Sequence, residues 1–125
     1  METHLPTVSI DPALAAIWPE TALGCVFWSA PVLPQQPQLW QFFASHTQPM
    51  LAQLLQTTEL ADMPQIGPSR RAFKAFGRDP GRVRISSEAL YRRLRQGKEL
   101  YRINSAVDAN NLVSLETGFS LGTYD

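Results

Sequence analysis

Every side chain able to grip a phosphate by full charge falls in one window of this chain. All nine arginines and both lysines lie between Arg70 and Arg102. That window holds only Asp79, Glu88 and Glu99 against them, a net of +8. Residues 1–69 carry Glu2, Asp11, Glu20, Glu59 and Asp62, a net of −5, and residues 103–125 carry Asp108, Glu116 and Asp125, a net of −3. The formal net charge of zero therefore conceals a basic block that can hold a field of several kT over one surface. Arginine outnumbers lysine nine to two, and its planar fork suits bidentate contact with phosphate. The blander alternative is a pair of solvated amphipathic helices whose arginines meet acids from the flanking segments.

Other chemistry is thin. His4 and His46 have no companion at ligand spacing, and one cysteine, Cys25, permits neither an intrachain disulfide nor a cysteine zinc site. Cys25 lies in the apolar run Leu23-Gly24-Cys25-Val26-Phe27-Trp28, where a buried, inert thiol and a reducing, cytoplasmic setting are the expectation. No glycine loop cradles phosphate, and neither a nucleophile elbow nor a dinucleotide fingerprint is present, so no catalytic residue, metal or cofactor is expected. Glu88 and Glu99 lie among cations, which favour the charged carboxylate, so ion pairing on a solvated face is the expected role rather than acid–base catalysis. No run reaches the roughly 18 apolar residues that a membrane helix needs, and no basic region followed by an apolar core marks a signal peptide.

The elements that must position the block read as follows. At 125 residues, 44% apolar and 18% charged, the chain has the composition of one folded domain, 1–125. His4–Ile10 and Thr21–Ala30 have strand character, the second as a strand buried on both faces. Asp11-Pro12 opens a short helix through Ile17. Leu39, Phe42, Phe43, Leu51, Leu54 and Leu55 recur at helical spacing between Gln38 and Thr57, with Pro49 predicting two pieces or a kink. After a loop over 58–68, Ser69 can cap a basic helix ending at Gly77, with Phe73 and Phe76 anchoring it and Arg70, Arg71, Lys74 and Arg78 at helical spacings. Ser86 or Ser87 can cap a second basic helix, which runs to Gly97 and carries Arg92, Arg93 and Arg95, with Arg82 and Arg84 in the link. Leu100–Ile103 reads as a short strand, Ala106–Thr117 as a helix stopped by Gly118, and Phe119–Asp125 as a last strand.

Two stretches are more specific than composition. They are Arg71-Ala-Phe-Lys-Ala-Phe-Gly-Arg-Asp-Pro-Gly-Arg-Val-Arg-Ile-Ser-Ser-Glu-Ala-Leu-Tyr-Arg-Arg-Leu and the segment from Leu100 to Gly118 with the closing Tyr124-Asp125. Over roughly residues 69–125 the chain resembles the standalone B3/B4 tRNA-binding domain proteins, relatives of the editing module in the β subunit of bacterial phenylalanyl-tRNA synthetase. The family's Val-Asp-x-x-Asn corresponds to Val107, Asp108 and Asn111, and its Glu-x-Gly to Glu116 and Gly118. The resemblance implies chiefly structural roles for these residues. Two positions depart from the synthetase pattern: an editing-pocket threonine is Asn110 here, and a histidine is Gly122. The family's domain continues past the position of Asp125, which implies a partial B3/B4 fold whose C-terminal strand edge a partner chain or self-association would cover.

The resulting expectation is an α+β domain, a mixed sheet with packed helices, serving tRNA or other RNA. Phosphate contacts are expected from Arg70, Arg71, Lys74, Arg78, Arg82, Arg84, Arg92, Arg93 and Arg95. The pocket and motif set is Asn104, Asp108, Asn110, Asn111, Glu116, Gly118 and Gly122. The alternatives are a trans-acting deacylase of mischarged tRNA and a module that binds an amino-acid-like ligand or a partner chain without nucleic acid.

Overall fold

A computed structural model describes residues 4–124. The chain divides after Pro31 into two units. In the first, Asp11 Oδ1 accepts from the Ala13 N–H at 2.8 Å and Pro12 fills the first turn of α1 (Pro12–Ile17), which Trp18 closes. The apolar run beyond it has no regular secondary structure and is exposed, and Cys25 is exposed with it, contrary to the expectation of a buried strand and a buried thiol.

The second unit is helical. α2 (Pro37–Phe42) passes into a π-helical turn over Phe43–Thr47 and then into α3 (Gln48–Thr57). In the π turn the Gln48 N–H reaches back five residues to the Phe43 carbonyl, and Pro49, which has no N–H, follows at once. The interruption expected at Pro49 is thus a widened turn rather than a break. A 3₁₀ turn (Leu60–Asp62) leads to α4 (Gly67–Ala75), then come α5 (Ser86–Arg95) and α6 (Ser105–Thr117). The core is one cluster drawn from these elements: Trp40, Phe43, Leu51, Leu60, Met63, Ile66, Ile85, Tyr91, Leu112 and Leu115. Phe73 packs against this cluster, whereas Phe76 stands outside it and is 37% exposed.

The α+β expectation is overturned: among the described residues there is no strand and no sheet. Alternation in a sequence reports side-chain faces, but a strand exists only when a neighbour takes its backbone groups. Here other partners take them. In the segment expected as Leu100–Ile103, the Ile103 N–H donates to Asp108 Oδ1 at 2.8 Å. Just beyond it, Ser105 N–H donates to the Leu33 carbonyl while Ser105 Oγ accepts from Leu33 N–H, a local clasp and not a ladder. In the segment expected as Phe119–Asp125, the Phe119 carbonyl accepts from Ser114 Oγ, and the Leu121 carbonyl accepts from Asn110 Nδ2 at 3.2 Å. The described part of that segment therefore presents no strand edge, and Asp125 lies outside the described residues. His4–Ile10 and Thr21–Ala30 are likewise without strand pairing.

Helix ends also differ in chemistry. α4 begins two residues before Ser69, with Pro68 in its first turn, and Ser69 Oγ donates to the Gln65 carbonyl instead of capping. α5 has no side-chain cap of its own: Ser87 N–H donates to Ser120 Oγ at 3.3 Å, so the C-terminal segment serves as the cap. α6 follows expectation, with Asn104 Oδ1 accepting from Val107 N–H at 2.9 Å and Gly118 ending it at φ 81°.

Candidate functional site

The eleven cations do not form one free surface. Glu88, in the first turn of α5, is only 1% exposed, and its carboxylate gathers two of them. Arg70 Nη1 from α4 donates to Oε1 at 2.7 Å and Oε2 at 3.0 Å, and Arg92 donates to Oε1 through Nη2 at 2.7 Å and Nε at 3.3 Å. Glu88 is therefore a buried tie between α4 and α5, not the solvated ion pair expected. Arg95 Nη2 donates to the carbonyls of Leu55 and Thr58, closing the C-terminal end of α3, whose last carbonyls have no intrahelical partners. Arg93 donates to the Glu99 carbonyl and lies 4.1 Å from the ring centroid of Tyr101. Arg102 stacks over Trp40 at 4.6 Å, and Arg82 lies 3.8 Å from Asp79 on an exposed turn.

Arg71, Lys74, Arg78, Arg84 and Lys98 remain. All five are exposed, and none forms an ion pair among the described residues. Arg71, Lys74 and Arg78 lie on α4 and just past its glycine stop; Arg84 and Lys98 flank the two ends of α5.

Arg84 and Lys98 border an open cleft of about 360 Å³ along α5. Ser86, Arg92, Arg93, Gln96, Tyr101 and Asn111 are the other polar residues of its wall, Ala89 and Leu90 are apolar parts of the lining, and no carboxylate lines it. Of the motif residues only Asn111 reaches this cleft. Asp108 is buried beneath α6's first turn, taking the Ile103 N–H and the Trp40 indole N–H at 3.4 Å. Asn110 is occupied on both sides of its amide, donating to the Leu121 carbonyl and accepting from Thr123 Oγ1 at 2.9 Å. Glu116 accepts from Thr47 Oγ1 at 2.7 Å and lies 3.4 Å from His46 Nε2, which ties α6 to the π turn. A Cβ at Gly118 would come within 2.8 Å of Gln65 Oε1, so this glycine permits close approach of the chain after α6 to Gln65, whereas one at Gly122 would meet only the exposed Tyr124 side chain at 2.8 Å. Asn104, Asp108, Asn110, Glu116 and Gly118 thus hold the fold together in this arrangement.

Lys98 and Tyr101 are site residues that the sequence reading passed over. The signal was present as an aromatic between Glu99 and Arg102, interleaved with cations at the block's edge. No group of three or more His, Cys, Asp or Glu side chains gathers as a metal site among the described residues, and no described helix is long and apolar enough to cross a membrane.

Residues 68–125, the part of the chain that holds α4's basic stretch, α5, the cleft and α6, match the family model of the B3/4 domain. The match falls on the same stretch as the resemblance read from residues 69–125 and covers just under half of the chain. No curated protein and no solved structure matches the chain.

Proposed function

We propose that the protein binds RNA, with tRNA the favoured class, through the cations that its own fold leaves free. The observation that carries this reading is the division of the basic block within the B3/4 segment. Arg70, Arg92, Arg93 and Arg95 are engaged by Glu88, by backbone carbonyls and by Tyr101, while Arg71, Lys74, Arg78, Arg84 and Lys98 have no acidic partner among the described residues. Unpaired cations on a folded surface are what a phosphate backbone displaces counterions to reach. The tRNA preference is what the resemblance to the synthetase editing module implies.

The test is RNA affinity as a function of salt. Phosphate contact makes log K fall with log salt at roughly 0.7–0.9 per neutralised phosphate. Replacing Arg71, Lys74 and Arg78 together by Gln should lower the slope by about two to three units and weaken binding across RNA sequences alike. A parent protein with a flat salt dependence, or with no affinity at low salt, would refute the reading.

A further inference from the structure

We propose that the cleft along α5 holds one phosphorylated nucleoside unit, its base stacked on Tyr101 and its phosphate between Arg84 and Lys98. The inference deepens the RNA-binding reading and rests on it. Tyr101 is 63% exposed although it lies beside the core segment at Leu100. The Arg93 guanidinium covers one face of its ring at 4.1 Å and is itself held by the Glu99 carbonyl, so the ring is backed by a cation while most of the residue stays open to solvent. A cation behind an aromatic ring polarises it and makes a rigid platform for a π-face, and every base has one.

The rest of the lining suits the remainder of a nucleotide. Arg84 and Lys98 have no ion-pair partner among the described residues, and Arg92 keeps a partly exposed guanidinium even while paired with Glu88. With no carboxylate in the wall, nothing there repels a phosphate. The amide of Asn111 has no hydrogen-bond partner among the described residues and presents both a donor and an acceptor, the pair that a base edge needs. A volume of about 360 Å³ is at the lower end of ligand clefts, which run from about 300 to 1,000 Å³, and is of the size of one nucleotide unit.

The unit can belong to an RNA strand or be a free nucleotide, and the two are separated by measurement. The full chain, isotope-labelled, is titrated with 5′-AMP, with adenosine and with ribose 5-phosphate while amide and side-chain resonances are followed. A labelled single-stranded oligoribonucleotide is titrated in parallel by fluorescence anisotropy. Shifts at Tyr101, Arg84, Lys98 and Asn111 with AMP, reduced when either the base or the phosphate is missing, are expected. Oligonucleotide binding tighter than AMP identifies an RNA strand as the source, and AMP binding at least as tight identifies a free nucleotide. Tyr101→Ala should weaken binding about tenfold or more, the size of a lost base stack, whereas Tyr101→Phe should stay near the parent. If Tyr101→Ala leaves RNA affinity unchanged while the Arg71/Lys74/Arg78 variant still flattens the salt slope, the cleft assignment fails and RNA binding stands. AMP shifts located away from the cleft overturn the assignment even if the alanine variant does not fold. Absence of any RNA binding by the parent removes both.

Discussion

Glu88 shows how a single residue can look like a surface ion pair in sequence and be a structural tie in the fold. Its carboxylate is buried and depends on Arg70 and Arg92 for its partners. Removing one member of a buried pair costs far more than removing an exposed one, because the remaining charge loses its compensation. Glu88→Ala is therefore expected to lower stability by about 3 kcal/mol in urea unfolding, while Asp79→Ala, beside exposed Arg82, should change it by less than about 1 kcal/mol. Tyr91 carries a second consequence at this scale. Its hydroxyl donates to the Leu115 carbonyl at 2.6 Å, and burial, reinforced by the charge of Glu116, raises its pKa above 10.0. In the unfolded chain the phenol ionises near its ordinary value while in the folded protein it stays protonated. Stability should then be insensitive to this group below about pH 10 and should fall as pH climbs further. Tyr91→Phe should lose about 1 kcal/mol at neutral pH and show a shallower alkaline decline in chemical denaturation.

At the scale of elements, the α4 start is set by a close approach. A Cβ at Gly67 would lie 2.7 Å from the Ala61 carbonyl oxygen, which is backbone of the 3₁₀ turn and has little room to yield. Gly67→Ala should cost about 1–3 kcal/mol, measurable as a drop in thermal midpoint, despite the better helix propensity of alanine. The helices themselves were legible because their signals are local. Asp11-Pro12, the spacing of Leu39 to Leu55, and the glycine stops Gly77, Gly97 and Gly118 each act within a turn or two of chain. The failed strands depended on partners that no local pattern names. Ile103 and the Phe119–Tyr124 segment have the side chains of strands, yet Asp108, Ser114 and Asn110 take their backbone groups first. The same limit applies to the cap of α5, where Ser86 and Ser87 are plausible by type but Ser120, 33 residues on, provides the hydroxyl.

For the whole molecule, the charge asymmetry is real, but its division into structural and free cations emerged only in three dimensions. Arg92, Arg93 and Arg95, three arginines at one helix end expected to contact phosphate, are all engaged within the fold. A triple replacement there should lower the unfolding midpoint along with RNA affinity, whereas the Arg71/Lys74/Arg78 variant should lose affinity with its midpoint within a few degrees of the parent. Comparing melting curves with binding isotherms for the two variants checks that separation. The family segment was recognisable because its motif spells out residues that hold the helices together; the cleft was not, since its wall joins Arg84, Lys98, Tyr101 and Asn111 from separate stretches.

The Ser120–Ser87 bond adds a kinetic consequence. The first turn of α5, which places Ser86 in the cleft lining and Glu88 beneath it, stays capped only while the C-terminal segment is seated. Lifting that segment exposes the Ser87 amide to solvent, so its hydrogen-exchange rate counts how often the segment lifts. A ligand resting on Ser86 in the proposed cleft is expected to slow that exchange, so the neighbouring Ser87 amide, followed with and without 5′-AMP, would report occupancy.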